Sequence, residues 1–354
     1  MTLKAGMAAV LGPSRRSRAG PRRGPLVAAL IAAAGVAAAA GPAHAVNTFL
    51  ALGTGSPDGT YYPVGRSVCD LVNARRLEHG IRCLAYPSGG SVYNIQAIRS
   101  GSLELGMTRS DLAYQARQGE GPFRATGAYR GLRVVAALYS MPVAIIVPRD
   151  SDIGTFRDLP GHILNAGNQG SGKRALVRVL MDTMDWDRDD FEKVTALNTR
   201  DMGDAFCRGE VDVLVEALGH PAPFYERMIG DCGGRFVHLP EAVIKRLLKA
   251  HPSYSRLAIP GGLYPDTPES IKTFGFRAVL ATGKRIAPQA IRTLARALFG
   301  DVRRLRRAAA ALSRARPDAM LSRGITVPIH RGARAYYEAE GLPYRQVPTG
   351  KSEP

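Results

Sequence analysis

The chain has 354 residues, 45% of them apolar, with 48 basic against 30 acidic side chains and a formal net charge of +18. That length and composition exclude wholesale disorder and allow two ordinary domains with a sizeable core. The positive balance raises nucleic acid and membrane surfaces as partners, and the N-terminus bears on which of these the chain can meet. Lys4, Arg15, Arg16, Arg18, Arg22 and Arg23 stand in residues 1–25 without an acid. The uncharged run LVAALIAAAGVAAAA follows from Leu26, and then Ala43-His44-Ala45. A basic region, a short apolar region and an A-x-A site form a secretory signal, with cleavage expected after Ala45. An uncleaved anchor is the alternative, but the apolar run is short and alanine-rich for a membrane span. Removal of the signal leaves a net charge of about +12. An exported protein meets little nucleic acid, so the basic residues are expected on a solvated surface, and neither nucleic acid nor nucleotide is expected as a partner.

From Thr48 the pattern is strand, glycine-rich loop, helix, repeated. TFLALGTG (48–55) reads as a strand, VGRSVCDLVNARR as a helix with Val64, Val68, Leu71 and Val72 on one face, and IRCLAY (81–86) as a second strand. PSGGSVYN leads into the helix VYNIQAIRSG, and LELGMT (103–108) is a third strand ending at Arg109-Ser110-Asp111. This β-α-β-α-β order predicts an α/β protein with a parallel sheet and covering helices. LRVVAALYSMPVAIIVPRD (132–150) is a long β-rich run broken by Pro142, as expected of a strand leaving one lobe for another. HILNAG (162–167) and VDVLVEAL (211–218) are further strands, with GNQGSGKR and the helix ALVRVLMDTM after the first. FRAVLATG (276–283) begins the return, and basic helical segments follow around 288–315. Their apolar positions Ile291, Leu294, Leu298, Val302 and Leu305 are expected to pack on the protein itself, a membrane surface being the alternative.

Parallel sheets hold ligands outside the carboxyl ends of their strands. Five of those ends carry Gly, Ser, Thr, Asp or His: GTGSPDGTYYP, PSGGSVYN, Thr108 to Asp111, GNQGSGKR and Gly219-His220-Pro221. Glycines let the backbone approach a ligand, and a helix start aims N–H groups and partial positive charge at it. Facing loops of this kind suit a small anion. GNQGSGKR is one residue short of a nucleotide-binding P-loop, but Arg174 stands where the magnesium-binding hydroxyl is required. No catalytic constellation stands out: Ser171 has no evident base, His220 suits a structural turn, and Asp58 and Asp111 read as helix caps. The four cysteines, Cys69, Cys83, Cys207 and Cys232, imply disulfides in an exported chain. Three pairings are open, of which the sequence-local one joins Cys69 to Cys83 and Cys207 to Cys232. No spacing supports a metal site, and no cofactor is expected.

Seven stretches together resemble the TAXI family, the solute-binding receptors of tripartite ATP-independent periplasmic (TRAP) transporters. They are GTGSPDGTYYPVG (53–65), GIRCLAYPSGGSVYNIQAIRSG (80–101), RSDLAY (109–114), GSGKR (170–174), AFCRGEVDVLVEALGHPAP (205–223), IPGGLYP (259–265) and VPIHRGARAYYEAEG (327–341). The resemblance implies a type II periplasmic-binding-protein fold, two α/β lobes with a hinge and a ligand cleft. Lobe 1 would comprise 46–138 and 276–345, lobe 2 139–275, and 346–354 a flexible tail. It implies a periplasmic, non-enzymatic receptor that delivers a small carboxylate (glutamate, 2-oxoglutarate or dicarboxylate type) to a TRAP permease. The cysteine positions resemble those of relatives with two disulfides. Carried over by position, the ligand residues are Gly55, Ser56, Thr60, Tyr61, Ser88, Gly90, Ser91, Arg109, Ser110 and Asp111 on one lobe. Gly170, Ser171, Gly172 and Lys173 face them from the other. The family usually has Gln where this chain has Arg109 and Thr where it has Lys173. Pointing inward, these two cations favour a more negatively charged ligand, and replacing Arg109 with Gln is then expected to weaken dicarboxylate binding. A sensory receptor signalling ligand occupancy is the rival within binding proteins, and a periplasmic hydrolase using Ser171 or His220 is the rival of another class.

Overall fold

The structure of the protein is a computed structural model that describes residues 48–348. The export signal over residues 1–45, its cleavage point, and residues 349–354 of the expected tail lie outside the described residues.

The first half follows the glycine-punctuated pattern closely. Strand β1 (Thr48–Gly53) leads through the first loop into α1 (Tyr61–Asn73), a short α2 (Arg76–His79) and β2 (Ile81–Tyr86). Helix α3 (Ser91–Ser100), β3 (Leu105–Arg109) and α4 (Ser110–Gln118) follow. Helices α3 and α4 stop at Gly101 and Gly119, both in the left-handed conformation that suits glycine. Strand β4 (Leu132–Pro148) is one continuous strand, so Pro142 does not break it. Instead the strand changes partners there, pairing with β10 (Ile271–Gly283) up to Pro142 and with β7 (Val213–Ala217) from Val143. A residue without an N–H is tolerated where the ladder passes from one neighbour to the next.

The middle of the chain holds β5 (Ile163–Asn165), α5 (Gly172–Met184), β6 (Lys193–Thr195), α6 (Thr199–Cys207), α7 (Pro223–Glu226), β8 (Gly234–Phe236), α8 (Glu241–Ala250) and β9 (Ser255–Ile259). After β10 come α9 (Pro288–Phe299), α10 (Val302–Ala308), α11 (Pro317–Ser322) and α12 (Arg331–Ala339). The sheet order is β2-β1-β3-β10-β4-β7-β5-β6, with β8 and β9 paired beside β4 and β10. Two parallel triplets, β2-β1-β3 and β7-β5-β6, therefore flank the long antiparallel pair β10–β4. Among the described residues that pair is the sheet's only link between the triplets, and each triplet aims the carboxyl ends of its strands at its own glycine-rich loops.

The apolar stripe of α9 and α10 packs inward: Ile291, Leu294, Leu298 and Leu305 are fully buried. Among the described residues no helix is long and apolar enough to cross a membrane. Cys69 of α1 is bonded to Cys83 of β2, and Cys207 at the end of α6 to Cys232. Closing loops of this size stabilises by about 3 kcal/mol each in the chain-entropy model. Replacing Cys207 and Cys232 together by Ala, a partly exposed pair, is expected to lower the melting temperature by roughly 4–6 °C in calorimetry. A change under 1 °C would show that this loop is already ordered in the unfolded chain.

Candidate functional site

A cavity of about 470 Å³ opens where the loops of the two triplets meet. From the first triplet it is lined by the turns around Gly55 and Thr60, by Pro87 to Ser91, and by Arg109; from the second, by Asn168, Ser171 to Lys173, Asn198 to Arg200 and Glu216 to Leu218. Of the fourteen residues expected on the ligand, eleven line it: Gly55, Ser56, Thr60, Tyr61, Ser88, Gly90, Ser91, Arg109, Ser171, Gly172 and Lys173. Ser110, Asp111 and Gly170 do not, and each has a structural task instead. Ser110 Oγ accepts the Arg277 amide and its carbonyl accepts Thr326 Oγ1, so it ties α4 to β10 and the chain beyond α11. Asp111 neither caps α4 nor faces the cavity; it is the counter-ion of Arg109. The Gly170 carbonyl accepts the Val92 and Tyr93 amides, both at 3.1 Å. It therefore occupies the N-terminus of α3, one of the helix ends expected to hold the ligand.

Buried polar side chains hold the loops in place. Asn94 is fully buried, donates to the Thr54 and Met107 carbonyls at 2.7 and 2.8 Å, and accepts Ser88 Oγ at 2.7 Å. One amide thus fastens the β1, β2 and β3 loop ends together. Thr60 gives α1 no side-chain cap; its Oγ1 accepts Tyr139 Oη and the Gly219 amide, each at 3.2 Å. The amides of Tyr61 and Tyr62 at the start of α1 consequently stay open, while Pro63 has no N–H to offer. Gly172 permits the close approach of the facing loops, since a Cβ there would lie 3.0 Å from Ser91 Oγ and 3.2 Å from Arg109 Cδ.

Three cations line the cavity, and each has a carboxylate. Arg109 donates to Asp111 through Nε (2.9 Å) and Nη2 (2.5 Å), lies 3.7 Å from the Phe276 ring centre, and reaches the Gly172 carbonyl with Nη1 (2.5 Å). Burial disfavours its charge, but Asp111 outweighs burial and raises its pKa. Lys173 Nζ lies 2.9 Å from Glu216, whose other neighbours are Thr199 Oγ1 and the Ala217 amide. Burial lowers the Lys173 pKa despite Glu216. At the rim Arg200 pairs with Asp58 at 2.6 Å. The excess positive charge inferred from Arg109 and Lys173 is therefore balanced within the protein.

Ser171 is the N-cap of α5: its hydroxyl accepts the Arg174 amide and donates to the Asn168 carbonyl at 2.7 Å. His220 does not line the cavity, and its Nδ1 is engaged by Tyr264 Oη at 2.7 Å. The geometry does not join these two as nucleophile and base. His220 and His330 are both held at a pKa of about 4 by burial, with the charges of Arg331 and Arg133 adding to the effect at His330. An unfolded histidine titrates near 6.5. The unfolded chain therefore binds protons that the native state refuses, and stability present above about pH 6.5 is lost as pH falls toward 4. His330→Asn keeps an acceptor for the Gly332 amide that His330 caps and removes the titration. Its unfolding free energy is expected to fall by about 1–2 kcal/mol less than that of the wild type between pH 7.5 and 5, measured in urea; equal slopes would exclude His330 as a source.

Glu216 and the N-terminus of α6 were not singled out from sequence. The α6 start carries a signal, Asn198-Thr199-Arg200-Asp201, and Asn198 Oδ1 accepts the Arg200 and Asp201 amides. Glu216 carries none, because its neighbour Lys173 is distant in sequence.

The NMT1-like family matches residues 52–341, most of the chain. The chain belongs to the NMT1-like family. Its fold is that of two-lobed periplasmic binding proteins, as two solved structures show. The periplasmic binding protein BugD superposes with a TM-score of 0.51 at 10% identity, covering 84% of this chain and 99% of its own. MatC from Rhodopseudomonas palustris with bound malate superposes with a TM-score of 0.50 at 12% identity, covering 75% of this chain and 89% of its own.

Proposed function

We propose that this NMT1-like protein is an extracytoplasmic receptor for a small carboxylate-bearing solute, which it delivers to a TRAP membrane permease. The observation that carries the reading is the charge-balanced cavity between two sets of helix N-termini. Its volume suits a metabolite-sized ligand. The open amides of Tyr61 and Tyr62 in α1 and of Gly172 and Lys173 in α5 suit a carboxylate, and the seven TAXI-like stretches favour the TRAP permease as partner. The lobes are residues 46–138 with 276–345, and residues 139–275. The two disulfides support an oxidising, extracytoplasmic compartment.

The charge balance refines the ligand class. With Arg109 matched by Asp111 and Lys173 by Glu216, the site has no spare cation for a second carboxylate. A zwitterion satisfies it better: the carboxylate faces Lys173 and the helix amides, and the ammonium faces Glu216. The favoured member of the carboxylate class is thus an α-amino acid of about glutamate's size with a neutral side chain, ahead of 2-oxo acids and dicarboxylates. A thermal-shift screen tests this with oxidised protein spanning 46–354, amino acids, 2-oxo acids, dicarboxylates and Mg-ATP. A ligand at 100 times its Kd stabilises by about 2.7 kcal/mol, roughly 5 °C here. Shifts confined to amino acids are expected. Shifts with dicarboxylates alone would overturn the zwitterion assignment, and a shift with Mg-ATP alone would overturn the receptor reading.

A further inference from the structure

Residues 292–323 carry nine arginines, no lysine and two acids, Asp301 and Asp318. All nine arginines are exposed. Arg316 is paired with Asp318, and Arg306 Nε donates to the Ala315 carbonyl. Arg292, Arg303, Arg304, Arg307 and Arg314 have no side-chain hydrogen bond or ion pair among the described residues. The segment is fixed to the body of the protein: Leu305 and Leu312 are fully buried, and Ser67 Oγ of α1 donates to the Ala308 carbonyl at 2.6 Å. Four of these arginines, Arg303, Arg304, Arg306 and Arg307, stand on one short helix, α10, on the side away from buried Leu305. Like charges held this close repel one another, so an external oxyanion surface would relieve a cost already built into the fold.

We propose that this arginine face docks the protein on an anionic phospholipid surface. Guanidinium groups bind phosphate oxygens in bidentate fashion, which fits a face built of arginine alone. A protein partner fits less well. Protein interfaces centre on apolar and aromatic side chains, whereas the large exposed apolar residues, Phe49, Leu77, Leu84, Tyr86 and Tyr93, all lie outside the segment. Nothing apolar remains on the segment to insert into a bilayer, so the attachment is electrostatic, peripheral and sensitive to salt. It is independent of which solute the cavity takes.

The test is co-sedimentation of untagged, oxidised protein (residues 46–354) with vesicles of phosphatidylcholine, with and without 30% phosphatidylglycerol. Binding is expected only to the anionic vesicles at 20 mM NaCl, with most of it lost by 300 mM. Arg303→Gln, Arg304→Gln and Arg307→Gln together keep good helix formers in α10 and are expected to weaken it about a hundredfold. Should that variant fold poorly, Arg292→Gln with Arg314→Gln provides a second reading, with a loss of roughly tenfold or more expected. Absence of wild-type binding at low salt overturns the proposal, as does unchanged binding by either folded variant. Retention on polyglutamate without vesicle binding also overturns it, in favour of an acidic protein face.

Discussion

Asp111→Asn is expected to lower the free energy of unfolding by about 3–5 kcal/mol, among the largest effects of any single substitution in this chain. Arg109 and Asp111 are 3% and 0% exposed, joined through two nitrogens and two oxygens. Removing the carboxylate's charge leaves a buried guanidinium with one neutral amide oxygen at 111, the Gly172 carbonyl and the Phe276 ring, and the Asn NH2 turned toward it as a second donor. Arg109→Gln alone is expected to cost a similar amount by stranding Asp111. The double variant Arg109→Gln with Asp111→Asn is expected to recover a large part of the loss, because a neutral pair in place of a buried ion pair is often tolerated. Urea titrations of the four proteins close the cycle. Additive losses would mean that the two groups are stabilised separately. The cycle also bears on binding: a loss of affinity in the Arg109→Gln variant would reflect the lost contact from Arg109 to Gly172 more than a change in ligand charge.

Much of the fold was legible because glycine and turn residues punctuate the strands, and IRCLAY, an edge strand with alternate residues buried over its first half, became β2 at both boundaries. The stretch from Phe224 to Ser270 was not. Its strands β8 and β9 are three and five residues long, too short for a period to show, and β9 is half exposed. Strand β10 begins at Ile271, five residues before the run read as strand, because Lys272 and Gly275 interrupt the apolar pattern on the side paired to β9. At the site, glycine loops announced themselves through composition, whereas the groups that set its electrostatics did not. Arg109 was visible as a departure from a family pattern, yet its neighbour Asp111 reads in sequence as an ordinary residue at a helix start. Asn94 reads as one more polar helix position, and only tertiary packing turns it into the clasp of three loops. Charge pairing across the chain is a property of the assembled cavity, so the inference of a more anionic ligand counted the cations without their partners.

Glu216→Gln tests that electrostatic account through ligand choice. Glutamate and 2-oxoglutarate differ in an ammonium against a ketone, so the ratio of their affinities reports what faces the α-carbon. In the wild type Glu216 is available to an ammonium, and Lys173, held in reach at 2.9 Å, returns to the carboxylate. With Gln at 216 the ammonium loses its charged acceptor, while Lys173 gains a free donor for a further anionic oxygen. A hydrogen bond to a charged group is worth about 1.5–3 kcal/mol, so the ratio of the two dissociation constants is expected to move by roughly 10- to 100-fold toward the 2-oxo acid. Lys173→Met makes the opposite change. It strands Glu216 in a buried site and is expected to weaken both ligands, the 2-oxo acid more. Titration calorimetry of both variants with both ligands gives four dissociation constants and hence two ratios to set against that of the wild type. If the ratio does not change in Glu216→Gln while binding itself persists, the ammonium does not face Glu216, and the zwitterion assignment falls.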